Sequence, residues 1–446
     1  MIEGLFPVFA SWQITTLSEL CSGGDASIQT GPFGSALHAS DYVVGGIPCV
    51  MPQDIRHGKI VTSNIARITP EDHERLKGFQ LRPGDIVYPR RGDITKRALV
   101  GEREQGWLCG TGCLRIRPNT QKVDPHYLSY YLAHSDVCDW IDANAVGATM
   151  PHLNTGLAGN IPVVVPPIST QLKIASILGA LDDKIELNRR MSATLEDMAR
   201  SMYRSWFVDF DPMHAKMEGR QPAFMDEAAA ALFPDRFGDD GLPEGWKLGK
   251  LSDLIDFNPT ERLSKGIEAP YLDMKTLPTS GMQHETAIQR SFTSGTKFRN
   301  GDTLLARITP CLENGKTALV QGLEGDAIGW GSTEFIVMRP ASNTALAYPY
   351  CVARSSDFRD EAIASMTGSS GRQRADAGRI KSIDAAIPSL EIMTEFSSIT
   401  DPLIRKIAVL GSESQTLAAL RDSLLPKLMS GELRVGEARE QVEEVA

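Results

Sequence analysis

Apolar residues recur at heptad spacing in two stretches of the chain, and elsewhere in short alternating runs. From about Thr170 to Phe207 the pattern predicts one long helix, with no Gly or Pro between 180 and 207. Its core positions read Leu178, Ile185, Ser192 and Ala199, alternating with Leu181, Asn188, Leu195 and Met202. A second helix is predicted from about Ile392 to Met429, with the seam Leu403, Leu410, Leu417 and Leu424. An apolar seam at this spacing asks for a partner helix. The two stretches supply each other with one, as an antiparallel pair of helices about 38 residues and roughly 57 Å long.

The remaining sequence is rich in Gly, Pro and strand-like runs. Ile47 to Met51, Ile86 to Tyr88 and Cys113 to Arg117 read as strands bounded by turn residues. Gly84-Asp85 and Gly301-Asp302 read as hairpin entries. These features occur twice because the chain is written twice. Pro166, Ile177, Leu181, Lys184 and Leu195 recur as Pro388, Ile399, Leu403, Lys406 and Leu417, at one offset of 222 residues. Upstream, Ala98-Leu99-Val100 is echoed by Ala318-Leu319-Val320, and Trp12 by Trp246. The period is too long for a solenoid. The expected fold is α+β: two β-rich domains joined by two long antiparallel, coiled-coil helices in a pseudo-two-fold internal repeat. Residues 209–245, with Pro212, Pro222, Pro234 and Pro243, read as an irregular connector in which Ala228 to Leu232 form a helical turn or two.

A length of 446 residues suits two or three domains. No apolar run approaches the roughly 18–20 residues of a membrane span. Met1 to Trp12 lacks a basic segment and a small-residue cleavage site, so a cytoplasmic protein is expected. The seven cysteines are scattered and read as buried reduced thiols. The formal charge of −10 excludes a protein that coats nucleic acid by bulk electrostatics. Charge is uneven, however. Between Arg75 and Arg103 eight basic residues face Asp85, Asp93 and Glu102, whereas 431–446 forms an acidic tail.

Several chemistries are missing. Asn258-Pro259-Thr260 fails at the third position of the Asn-Pro-Pro-Tyr/Phe loop with which an adenine methyltransferase holds a flipped base. Asn314-Gly315-Lys316-Thr317 resembles the end of a phosphate loop, but Pro310 stands where its opening glycine belongs. Asp85, Asp93 and Lys96 are the one trio from which a stand-alone nuclease could be assembled. A coiled-coil scaffold with protein-binding β domains is the other alternative.

The order of motifs carries a resemblance over nearly the full length. It comprises Thr30-Gly31-Pro32-Phe33-Gly34-Ser35, Gly46-Ile47-Pro48, Asp54-Ile55 and Pro83-Gly84-Asp85-Ile86. Then come Pro166-Pro167 with Gln171, Ile174, Leu178 and Asp182, and Trp206-Phe207-Val208-Asp209-Phe210-Asp211-Pro212. Leu425-Pro426-Lys427-Leu428 closes the set. The chain resembles the specificity subunits of type I restriction–modification systems. The second copy departs from the first: Pro388-Ser389 replaces Pro166-Pro167, and it has no Gly-Pro-Phe-Gly string. The resemblance implies two target recognition domains (1–168 and 246–390), each reading half of a bipartite, asymmetric sequence in double-stranded DNA. It implies that the helices (169–208 and 391–430) act as spacer and as dock for two methyltransferase subunits, with two motor–nuclease subunits as further partners. This chain would then bind no cofactor. S-adenosylmethionine, ATP and Mg would act in the partners, and the chain alone would be non-catalytic.

Residue type and loop context nominate the DNA contacts, since Arg pairs with guanine and Gln or Asn with adenine. In the first domain these are Ser35, His38, Arg90, Arg91, Thr95, Lys96, Arg97, Thr149 and His152. In the second they are Arg307, Thr309, Asn314 and Lys316, which sit where Arg90 to Arg97 sit in the first copy, and Arg372, Gln373 and Arg374 on a Gly-flexible turn.

Overall fold

A computed structural model describes residues 4–9, 11–56, 58–145, 147, 151–369 and 371–444. The chain divides into two units, 1–184 with 416–446, and 185–415. Two long helices take part in both: α1 (Ile168–Phe207) and α2 (Leu390–Ser430). Each starts just after the strand that closes its module.

In the first unit the start of α1 lies beside the end of α2. Arg421 donates Nη1 to Asp182 at 2.6 Å, and Leu178, Leu181, Leu417 and Leu424 are buried. In the second unit Asn188 donates Nδ2 to Glu413 at 3.0 Å, and Ala199, Ile404, Ile407 and Leu410 are buried. Within the second unit Asn188 meets Glu413 and Trp206 meets Phe396, with ring centroids 5.7 Å apart, so rising numbers on one helix meet falling numbers on the other and the pairing there is antiparallel. Ile185, Ser192, Leu195, Met202 and Leu403 of the expected seams are only partly buried. Pro402, Gly411 and Pro426 all lie inside α2. An interior proline removes a hydrogen bond and costs about 3 kcal/mol. The helix continues because its apolar face is buried on both sides of each break.

The β-rich parts repeat strand by strand. The first unit holds a four-stranded sheet of β1 (Ser27–Thr30), β2 (Ile86–Pro89), β3 (Ala98–Leu99) and β4 (Cys113–Arg117) in the order β1-β4-β2-β3. The second holds β5 (Ile255–Phe257), β6 (Thr303–Ala306), β7 (Thr317–Leu319) and β8 (Phe335–Pro340) in the order β5-β8-β6-β7. All neighbours are antiparallel. In each unit the first strand pairs with the last: Gln13–Thr16 with Pro162–Val165, and Lys247–Lys250 with Asp384–Ile387. β2 and β6 are fully buried runs, as expected of strands covered on both faces.

One expectation, for the connector, changes. The connector is less irregular than its prolines suggest. It carries helices Asp211–Met217 and Glu227–Leu232, and Phe233 beyond them is buried edge-on to Trp206, with ring centroids 4.9 Å apart. Pro212 opens the first helix, where a missing N–H costs nothing. The acidic tail likewise contains a helix, Val435–Glu443, with Ala438 buried. All seven cysteines are free thiols, and burial pushes Cys49 and Cys109 up to about 12. Among the described residues no helix is long and apolar enough to cross a membrane.

Candidate nucleic-acid interface

The hairpin entries set the geometry at one end of each sheet. Gly84 and Gly301 both have φ of 88°, a conformation that glycine takes without strain. The aspartate that follows turns inward. Asp85 accepts from the Arg82 N–H at 2.8 Å and from Arg117 Nε and Nη2 at 2.7 Å each. Asp302 accepts from the Arg299 N–H at 2.8 Å and from Arg339 Nε and Nη2 at 2.6 and 2.7 Å. Both aspartates are 1% exposed. They are structural anchors, with every oxygen engaged by a strand arginine.

This removes the nuclease trio. Asp85 precedes β2 and Asp93 follows it, and a four-residue strand separates its ends by roughly 13 Å. Lys96 pairs with Asp93 at 3.1 Å, not with Asp85. Among the described residues no three His, Cys, Asp or Glu side chains converge as a metal site.

The nominated residues gather at the other end, where β2 and β6 run out. Arg90 donates its N–H to the Gly112 carbonyl at 2.7 Å and accepts at its own carbonyl from Leu153 at 2.9 Å. Arg307 donates to the Glu334 carbonyl at 2.9 Å and accepts from Ala375 at 2.8 Å. Three segments therefore meet at each sheet end: the loop after the strand, the turn before β4 or β8, and the return segment before the last strand. Both arginines hold a buried Nε without a hydrogen-bond partner in the described structure. The identical backbone pairing makes Arg307 the counterpart of Arg90. By the same register, Arg374 is the counterpart of His152, Ile308 of Arg91 and Glu334 of Gly112. His152 bridges Arg91, and Arg374 bridges Ile308.

The other nominated side chains divide. Arg91, Lys96, Asn314 and Arg372 are exposed at these loop ends. Thr95 caps Asp93 at 2.9 Å. Gln373 gives its carbonyl to the Thr309 N–H at 3.0 Å, closing the second unit's loop on its return segment. Arg374 pairs with Glu334, Nη2 to Oε1 at 2.7 Å. Ser35 and His38 are exposed. They follow Gly31, where a Cβ would lie 2.0 Å from the Gly110 carbonyl oxygen. That contact brings their segment to the same loop cluster. Two residues leave the surface set. Arg97 is half-buried, its Nε donates to the Ser129 carbonyl, and burial presses its pKa down. Lys316 is half-buried and donates Nζ to the Met274 carbonyl at 2.9 Å. In both cases backbone carbonyls of the same unit claim the cation. Thr149 lies outside the described residues.

Glu334 is the polar residue at this end that residue-type reasoning passed over. Its signal was present in the repeat, since Thr333-Glu334 stands where the first copy has Thr111-Gly112, a carboxylate in the place of a glycine.

A duplicated module, each copy ending in an arginine-led loop cluster, joined to paired long helices, defines a class with known relatives. Residues 11–197 match the family model described as the type I restriction modification DNA specificity domain. The chain is 22% identical over 430 residues to the type I restriction enzyme HindI specificity subunit of Haemophilus influenzae, covering 85% of this chain and 93% of that one. It is 24% identical over 415 residues to the MjaIX specificity subunit of Methanocaldococcus jannaschii, covering 89% of each. The crystal structure of a type I restriction–modification S subunit from M. genitalium aligns over 96% of this chain and 99% of that chain, with a TM-score of 0.52 and 15% identity. That last likeness is one of fold. Over most of its length the chain is therefore similar to type I restriction–modification specificity subunits.

Proposed function

We propose that this chain selects the DNA sequence on which a type I restriction–modification complex acts. Each unit reads one half of a bipartite, asymmetric target with the loop cluster at the end of its four-stranded sheet. Adenine methylation is carried out by methyltransferase subunits docked on the helices, and cleavage by motor–nuclease subunits. S-adenosylmethionine, ATP and Mg act in those partners. The observation that carries this reading is the repetition of one arginine-led loop end, with the same backbone pairing at Arg90 and Arg307, in two units whose surrounding side chains differ. Shared architecture gives both units the same way of approaching a duplex, and different loop residues give them different bases to read.

The test is to map N6-methyladenine across the genome with and without this gene. A two-part motif that disappears with the gene is the expected result. Loss of no motif, or loss of one contiguous motif, would count against the proposal. Methyl transfer or DNA cutting by the purified chain free of partners would show that it carries chemistry of its own.

A further inference from the structure

Resting on that reading, we propose that Arg374 reads a guanine in the half-site bound by the second unit, and that Glu334 is the positioning residue that aims it. The geometry at this pair is specific. Glu334 takes the side edge of the guanidinium: Arg374 Nε lies 2.9 Å from both carboxylate oxygens, and Nη2 lies 2.7 Å from Oε1. A guanidinium carries five N–H groups in a planar fork. Occupying the side edge leaves the end edge, one N–H each on Nη1 and Nη2, pointing away in parallel. Those two donors match the O6 and N7 acceptors of guanine in the major groove. Among the described residues the carbonyl of Arg372, 3.3 Å from Nη1, is the sole other partner of the group, and it sits at the long limit of a hydrogen bond.

Both halves of the pair are held by backbone. Arg374 exchanges hydrogen bonds with Thr367 at 2.9 and 3.0 Å and bridges Ile308 on its other side. Glu334 accepts at its carbonyl from Arg307 and donates its N–H to Ser332 Oγ at 3.1 Å. A guanidinium fixed in this way loses little freedom on binding. Folding does not account for the pair, because the arginine side chain is 44% exposed and exposed ion pairs contribute little to stability. A phosphate contact does not account for it either. A carboxylate on the guanidinium cancels the charge that phosphate binding needs, whereas bidentate reading of a neutral base edge depends on direction.

The matching positions of the first unit do not carry this pair. His152 stands in the place of Arg374 and Gly112 in the place of Glu334. The guanine requirement should therefore belong to one half-site only, which gives the target part of its asymmetry.

The experiment uses the methyltransferase complex assembled around the full chain, and measures kcat/KM on duplexes in which each base pair of both half-sites is replaced in turn. The wild type should discriminate at one G·C pair of one half-site by about 5- to 150-fold, the range of a good bidentate contact. Arg374→Ala and Arg374→Lys should both lower that ratio to less than about threefold, because lysine keeps the charge but has no fork. Glu334→Gln should fall between them and the wild type, while affinity for mixed-sequence DNA rises as a negative charge leaves the interface. A merely structural Glu334 would not produce that opposite movement. All three variants should leave the other half-site unchanged, which reports an intact complex. Retained discrimination in Arg374→Lys, an effect centred on an A·T pair, or an equal loss at every position would each overturn the proposal. If Arg374→Ala is inactive on every duplex, the lysine variant decides by the same criteria. A wild-type complex that methylates no two-part motif would instead bring down the specificity-subunit reading itself.

Discussion

Arg339 lays Nε and Nη2 on the two oxygens of Asp302 at 2.6 and 2.7 Å, in the same fork that Arg117 makes with Asp85 at 2.7 Å. In each unit this pair ties the entry of the buried strand β2 or β6 to its neighbour β4 or β8. Residue and geometry recur together although the surrounding loops have diverged, so the pair belongs to the scaffold.

Removing one partner should therefore destabilise its own module. Asp302→Ala removes the carboxylate that takes Arg339 Nε and Nη2 and leaves only Glu261 on Nη1, and a broken buried pair costs about 3 kcal/mol or more. Urea denaturation of the full chain should show the second unit unfolding at lower denaturant, with the first unit's transition unmoved. Asp85→Ala should do the reverse. Coincident shifts in both units, or none, would show that the pair does not stabilise its own module.

The second unit adds an acid-sensitive element. Glu261 is 8% exposed and accepts from Arg339 Nη1 and Arg299 Nε at 2.7 Å each. Burial pushes its carboxyl up, but the two guanidinium bonds outweigh this and hold it below the ordinary 4.5. A folded-state pKa below the unfolded one means that stability is present above the unfolded value and is lost as pH falls through the folded value. Glu261→Gln should then be less stable than wild type at neutral pH. The gap should close as pH drops below about 4.5. A gap independent of pH would assign the effect to packing rather than to charge.

Asn188 sits at 1% exposure on the inner face of α1, with Nδ2 on Glu413 and Ser414 and a buried Oδ1 that has no hydrogen-bond partner among the described residues. A buried asparagine at a seam position fixes register at a cost in stability. Asn188→Leu should raise stability by about 1 kcal/mol, since an unpaired buried acceptor disappears. In a unit of this size that is a rise of about 2–4 °C in Tm. A fall would mean that the Glu413 contact contributes more than the unpaired oxygen costs.

The long-range plan was legible in the sequence because repeats and heptads depend on spacing alone. The two helices, the strands at Ile86 and Cys113 and the Gly-Asp entries all follow from local pattern. What each polar side chain does was less legible, because it depends on which carbonyl or carboxylate the fold brings near. Arg97 and Lys316 look like Arg91 and Arg372 in a sequence, yet they point at the Ser129 and Met274 carbonyls. Asp85 looks like a catalytic acid until Arg117 closes on it. The helix at Asp211–Met217 was hidden by Pro212, which reads as a breaker but occupies a first turn.

Arg372 gives the sharpest contrast with its neighbour two residues on. It is exposed, its N–H is fixed to the Ser369 carbonyl at 3.0 Å, and among the described residues no acidic side chain pairs with its guanidinium. A full, undirected charge at a loop end is suited to a phosphate and poorly suited to choosing a base. Arg372→Ala should weaken binding to all duplexes by a similar factor and reduce the salt slope by about one. The pattern of base preferences in both half-sites should stay as it was. Lys96→Ala in the first unit should do less, because Asp93, 3.1 Å away, already offsets that charge. Titrating binding against salt for the wild type and both variants separates these outcomes. A changed base preference in Arg372→Ala with an unchanged slope would make Arg372 a base reader. Equal slope changes in the two variants would mean that the Asp93 pair opens on DNA.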